Sequence, residues 1–193
     1  MALRWISAPM DALAALRIGD GSRAAVRLAD GAVVTLRAAR GDERDARGLR
    51  AMFYTLSDTT RYLYFCVGAP RNERWAEQVA QLGEARGSQG YALVAKVEGT
   101  IVGVARFDGG ADGRAEIGIL ITDTWQSRGL GRVIVARLRE VAERRGMTGF
   151  TATVLGENVK AMRLLRRAFP KMVPHWSSGQ YTVDMPFLAL AHT

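Results

Sequence analysis

The sequence predicts a mixed α/β sheet in one domain, and three observations carry that prediction. A nearly unbroken apolar run, AEIGILIT (115–122), precedes a helical pattern at 129–145 and a further apolar stretch, FTATVL (150–155). That succession is a strand–helix–strand crossover between parallel strands. Two pairs of apolar runs also meet at turn dipeptides, Asp30-Gly31 and Glu98-Gly99, and each reads as an antiparallel hairpin. Finally, 193 residues supply one sizeable core and not two, and no Pro/Gly/Ser linker, repeat or low-complexity tract interrupts residues 30–190.

Taken in order, residues 1–20 form an N-terminal appendage with a short helix around Asp11–Leu16, and the domain proper spans 21–193. Strands at 24–28 and 32–38 flank the first turn. A helix over 42–55 carries Leu49, Met52 and Phe53 on one side, and a weaker helix begins near Asn72 and runs to 85. The second hairpin joins 91–97 to 100–107, and a glycine-rich turn at 109–113 leads into the strand at 115–122. In the helix at 129–145, Leu130, Val133, Ile134, Leu138, Val141 and Ala142 recur at helical spacing, and Gly146 ends it. Asn158 caps a helix reaching about Ala168. QYTVDMPF (180–187) closes the sheet after a short strand near 171–176.

Composition removes several function classes. With 48% hydrophobic and 24% charged residues the chain is globular, and no apolar window approaches the ~18 residues a membrane helix needs. The start of the chain does not read as a secretory signal, because Asp11 breaks its apolar run and Arg4 is its only basic residue before that. A single cysteine, Cys66, forbids an internal disulfide, and two histidines leave little material for a metal site or a serine–histidine triad. The expected compartment is the cytoplasm, with no metal and no membrane partner. Lys and Arg number 27 against 19 Asp and Glu, giving a net charge of +8 carried almost wholly by arginine. Such a balance suits polyanionic partners or a phosphate-rich ligand. The arginines are spread along the chain without a nucleic-acid motif, so no specific nucleic acid is expected.

The stretch that carries chemistry is Trp125-Gln126-Ser127-Arg128-Gly129-Leu130-Gly131-Arg132, between a buried strand and a helix. A loop entering a helix presents unbonded N–H groups and the positive end of the helix dipole, which suits an anion. Gly129 and Gly131 let backbone approach a phosphate, and Arg128 and Arg132 add charge, with Arg139 two turns further along the same helix face. A Walker loop would need Lys-Ser/Thr where Arg132-Val133 stands, and a dinucleotide fingerprint would need a third glycine at Ile134. A plain tight turn is the alternative reading of the two glycines.

From AEIGILIT through the loop to GENVKAMRLLRRAF, the chain resembles the core of the GNAT superfamily of N-acetyltransferases. Gln126-Ser-Arg-Gly129-Leu-Gly131 matches the signature loop Gln/Arg-x-x-Gly-x-Gly/Ala, and the following strand and Asn158-headed helix match in order. The resemblance spans roughly residues 32–187. Leu56-Ser-Asp-Thr-Thr-Arg-Tyr-Leu-Tyr-Phe65 is similar to a segment of Pat-type bacterial protein lysine acetyltransferases. The likeness implies a single GNAT-like domain: a mixed, mostly antiparallel sheet with a central βαβ unit, splayed parallel strands and flanking helices, in a fold that often dimerises.

It also implies acetyl-CoA as donor and an amine acceptor, a protein lysine ahead of a small molecule. A catalytically silent acyl-CoA-binding module is the non-enzymatic alternative. The diphosphate would sit on the N–H groups of Ser127–Arg132, with Gln126 heading the motif. The pantetheine arm would run along Ile119, Leu120 and Ile121, and Asn158 would either bond that arm or simply cap its helix. Glu116, a carboxylate expected to be buried in an apolar strand, is the candidate general base. The family often places a tyrosine as acid seven residues after the asparagine, and here that position is Leu165. A second departure is Ala168-Phe169 where Gly-Phe is usual. Tyr62, Tyr64 and Phe65 either line an acceptor cleft or pack. Trp125 is expected behind the loop, and Cys66 is expected to be a packed thiol without a histidine partner.

Overall fold

The computed structural model describes residues 23–85, 89–110 and 112–187. The expected helix at 11–16 and the boundary near residue 21 lie outside them. Eight strands form one sheet: β1 (Ala24–Arg27), β2 (Val33–Ala38), β3 (Tyr91–Val97), β4 (Thr100–Gly109), β5 (Arg114–Ile121), β6 (Gly149–Leu155), β7 (Val173–Ser177) and β8 (Gln180–Pro186). Their spatial order is β1-β2-β3-β4-β5-β6-β8-β7, and all neighbours are antiparallel except β5 and β6. Five helices flank it among the described residues: α1 (Glu43–Thr55), α2 (Asp58–Phe65), α3 (Glu73–Ala80), α4 (Leu130–Arg144) and α5 (Val159–Ala168). The strand–helix–strand crossover is β5–α4–β6, as the apolar pattern requires.

Local chemistry starts the helices. Asp42, Asn72 and Asn158 each accept a backbone N–H at the third residue beyond, so their helices open where a short polar side chain can satisfy an orphan donor. One expectation needs correction. QYTVDMPF does not close the sheet: β8 lies between β6 and β7, and β7 is the edge. Helix α2 also lies over 58–65, where the sequence pattern assigns no element. Its two threonines and three aromatics are mediocre helix formers. It forms because Ser57 caps it through the Thr60 N–H and because tertiary contacts hold it.

Each face of the sheet buries its own core. Ala115 and Ile117 of β5 pack with α4, α5 and Phe150 on one side, while Leu120 packs with Leu49, Met52, Phe53 and Val79 of α1 and α3 on the other. Strand alternation puts the odd residues of β5 on the α4 side and the even residues, Glu116 and Gly118 among them, on the side that α2 covers. Phe107 anchors the α4 face, fully buried between Tyr91 and Phe150 at ring distances of 5.8 and 5.9 Å.

Candidate active site

The site grows out of the unequal edges of β5. Toward β4 it is paired from Ala115 to Ile121 without a break. Toward β6 pairing stops after Arg114, Ala115 and Glu116, opposite Gly149, Phe150 and Thr151. The Thr122 N–H donates to the Val102 carbonyl at 3.0 Å, and Gly110 N–H to Arg114 at 2.7 Å. The even residues of β5 therefore direct their backbone at β4, and the odd ones direct theirs at β6. Beyond Glu116 this leaves Ile117, Ile119 and Ile121 facing a gap where β6 has turned away. Leu120, expected to share that edge, does not: its backbone is turned to β4 and its side chain is in the core.

Beside the open edge lies the helix-entering loop. Ser127 (φ 60°) and Gly129 (φ 91°) adopt left-handed backbone, and no acceptor among the described residues takes the N–H groups of Ser127, Arg128, Gly129, Leu130 or Gly131. The Arg132 N–H is spent on the Gly129 carbonyl at 3.1 Å, so the expected cradle ends one residue earlier. Gly131 has a packing role as well, since a Cβ there would stand 3.0 Å from Leu164 of α5. Of the two arginines expected beside the loop, Arg132 is exposed and unpaired among the described residues. Arg128 is engaged elsewhere: it bonds Asp30 at 2.5 Å and stacks on Trp125 at 4.0 Å. Arg139 is likewise paired, with Glu143 at 2.8 Å.

Gln126 is a fastener. Its amide donates to the Ile121 carbonyl at 3.1 Å and to Thr60 of α2 at 3.0 Å, and it accepts from Lys160 of α5 at 3.2 Å. Asn158 spends its side-chain oxygen on the Ala161 N–H at 3.1 Å, the capping role, and its amide N–H groups meet no acceptor among the described residues. Asp123, which the sequence reading passed over, completes the docking of α2. It accepts from the Ser57 N–H at 2.9 Å, the Ser57 hydroxyl at 2.6 Å and the Thr60 hydroxyl at 2.7 Å. Burial pushes its carboxyl up, but the Ser57 and Thr60 bonds outweigh that and hold it below the usual carboxylate range. The only local signal for Asp123 was its position just past a buried strand.

On the α2 side of β5, Glu116 stands on the last residue paired to β6. It is exposed, not buried as expected, because it faces the open side of the sheet, and among the described residues it has no hydrogen bond or ion pair. Across β4 its register partner is Asp108, which is paired with the buried Arg106 and has one buried oxygen without a partner. Two residues along β5, Gly118 lies under Tyr64 of α2. A Cβ on Gly118 would meet the Tyr64 hydroxyl at 3.0 Å. Desolvation pushes that hydroxyl up to about 12, with Arg106 pulling the other way. A glycine inside an apolar strand was the signal for this close approach.

The remaining expectations divide. Tyr64 and Phe65 pack, with edge-on ring contacts from Tyr64 to Phe65 and from Phe65 to Trp75. Tyr62 is exposed, beside Glu157 at the head of α5, whose carboxylate raises its hydroxyl. Burial raises the Cys66 thiol, and the cysteine is half-buried. No group of three His, Cys, Asp or Glu among the described residues is arranged to hold a metal, and no described helix is long and apolar enough to cross a membrane. A concave surface of about 830 Å³, lined by Arg23, Arg37, Arg40, Arg44 and Lys96, lies at the β2–β3 end and touches none of the residues above.

The site is thus a strand that parts from its parallel neighbour beside a loop of N–H groups without acceptors among the described residues. The profile of the acetyltransferase (GNAT) family matches residues 50–169, and the chain belongs to that family, whose acyl donor is acetyl-CoA. Its structure is similar to the GNAT domain of Streptomyces lividans PAT, at 25% identity over 86% of this chain and 97% of that one, with a TM-score of 0.74. It also resembles Mycobacterium smegmatis RimJ in complex with CoA-disulfide, at 19% identity over 84% and 85% of the two chains and a TM-score of 0.62. A third similar structure is yncA of Salmonella typhimurium with its cofactor acetyl-CoA, at 21% identity over 78% and 91% and a TM-score of 0.52. No curated protein sequence matches the chain.

Proposed function

We propose that the enzyme transfers the acetyl group of acetyl-CoA to a protein lysine, with Glu116 as general base. The observation that carries the reading is the parting of β5 from β6 directly after Glu116, beside five N–H groups without acceptors. The groups present suit the donor. The N–H groups of Ser127 to Gly131 and the Arg132 side chain would hold its diphosphate by charge and hydrogen bonding. The Ile117 carbonyl, both backbone groups of Ile119 and the Ile121 N–H would pair with the amides of its pantetheine arm, and the Asn158 amide is available to the same arm. Acetyl-CoA supplies an activated acetyl group as a thioester. An incoming lysine must lose a proton before its nitrogen attacks, and the Glu116 carboxylate, open to solvent, takes that proton and passes it on. A backbone N–H at the open edge stabilises charge gathering on the carbonyl oxygen.

Lysine as acceptor is supported by the Leu56–Phe65 segment, now seen as α2 beside Glu116, and by the likeness to the PAT GNAT domain. The test supplies acetyl-CoA with either poly-L-lysine or spermidine and follows CoA release. Poly-L-lysine is the expected better acceptor, and Glu116→Gln lowers kcat by about 100-fold or more with folding intact. Faster turnover with spermidine would support a small-molecule acceptor instead. Equal turnover by Glu116→Gln would remove Glu116 from the chemistry.

A further inference from the structure

Leu165 is buried in the core, so α5 offers no hydroxyl to the gap between β5 and β6. A hydroxyl does reach that region, from α2. We infer that Tyr64 is a catalytic residue, whose hydroxyl donates a hydrogen bond to the sulfur that leaves during acetyl transfer; this rests on the function proposed above.

Three features of the structure support the assignment. The first is place. The anion-holding loop follows the wide end of the gap, past Ile121, and the gap closes at Glu116. A donor arm laid from the loop along the open edge would run toward Gly118, the residue over which the Tyr64 hydroxyl stands. Second, Gly118 is fitted to the tyrosine: the nearest atom to a Cβ there is the hydroxyl oxygen at 3.0 Å, and the ring atoms follow only at 3.8 Å. Phe65 and Trp75 brace the end of α2, and Asp123 and Gln126 pin its start, so the hydroxyl is held on rigid elements.

The third feature is state. No hydrogen bond among the described residues engages the Tyr64 hydroxyl, and Arg106, Asp108 and Glu116 are its charged neighbours. Raised to about 12, it keeps its proton wherever amines are acetylated, so it acts as a donor and does not compete with Glu116 for the lysine proton. In the transfer, the lysine nitrogen bonds to the acetyl carbon and the carbon–sulfur bond breaks. The electron pair leaves on sulfur, where the Tyr64 O–H meets it. The nitrogen sheds two protons, one through Glu116 to solvent before attack and one as the amide forms; one proton returns to the sulfur and the other stays in solvent. A hydrogen bond to an ion of this kind is worth about 10- to 100-fold.

The test titrates the thiol of CoA, the product, bound to the intact protein, using the ultraviolet absorbance of the thiolate. On the wild type the bound thiol is expected to be about tenfold more acidic than on Tyr64→Phe, because only the former donates to the thiolate. Gly118→Ala, which leaves the tyrosine in place and crowds its hydroxyl, should resemble Tyr64→Phe, and combining the two changes should add little. In turnover with poly-L-lysine, Tyr64→Phe should lose about 10- to 100-fold in kcat with the KM for acetyl-CoA unchanged. If CoA binds to both proteins and its thiol titrates alike, the inference is overturned while the proposed function stands. Failure of the wild type to bind CoA would overturn both.

Discussion

The two edges of β5 have the same seven or eight residues and opposite fates. Against β4, every position from Ala115 to Ile121 is paired, and Leu120 and Ile117 drive their side chains into the two cores. Against β6, pairing ends at Glu116, and the Ile117 carbonyl, both polar groups of Ile119 and the Ile121 N–H face no partner strand. Buried backbone without partners is costly, so a persistent open edge inside a sheet marks a place where a ligand completes the ladder. One edge holds the fold and the other carries the proposed site.

Perturbing the two edges should give effects of different kinds. The largest belongs to the paired side. Phe107→Ala empties a fully buried ring position between Tyr91 and Phe150 and should cost about 3–5 kcal/mol, read from the urea midpoint of unfolding.

An intermediate effect is expected where α2 is pinned over the open edge. Asp123→Asn weakens the bonds from Ser57 and Thr60 and should cost about 1 kcal/mol at neutral pH, since the carboxylate is exposed. The folded carboxyl lies below its ordinary value near 3.9, so its contribution is complete above about pH 4 and fades as the pH falls through the folded value. Thermal melts of wild type and variant should therefore converge in strong acid. A constant difference down to the lowest pH would show that the charge of Asp123 is not what holds α2.

The smallest change is at the loop. Arg132→Ala removes an exposed cation beside the bare N–H groups and should weaken acetyl-CoA binding only a few-fold, with less dependence on salt than the wild type and no change in melting.

Much of this comparison was legible in the residues, but unevenly. The apolar run 115–122, the loop glycines and the capping Asn158 announce β5, α4 and α5, because strand burial, positive φ and capping each demand particular residue types. The parting of β5 from β6 could be read only through the family resemblance, since nothing in AEIGILIT says where a neighbour leaves. The helix α2 was not legible. Its existence depends on Asp123, sixty-odd residues away, and on Trp75 and Gly118, which no local pattern joins to it. The exposure of Glu116 was hidden for a related reason. A carboxylate in an apolar strand reads as buried until the covering element is seen to stop short of it.

The same limit explains Arg128. Its place beside two glycines suggested a phosphate ligand, but the hairpin turn at Asp30 lies within reach and takes it. Charge near a loop in sequence is a weaker guide than the set of N–H groups left without acceptors, which follows from backbone geometry.

The central claim, that the loop and the open edge together hold the donor, is tested most directly by calorimetric titration of acetyl-CoA into the wild type and Gly129→Leu. Gly129 sits at φ 91° with nothing within 4 Å of a Cβ, so the substitution strains the loop backbone and fills the space before it without disturbing the core. The account predicts saturable binding by the wild type and a loss of at least about tenfold in affinity, ~1.4 kcal/mol, in the variant. Equal binding by both proteins would contradict it and place the donor away from the Ser127–Gly131 loop.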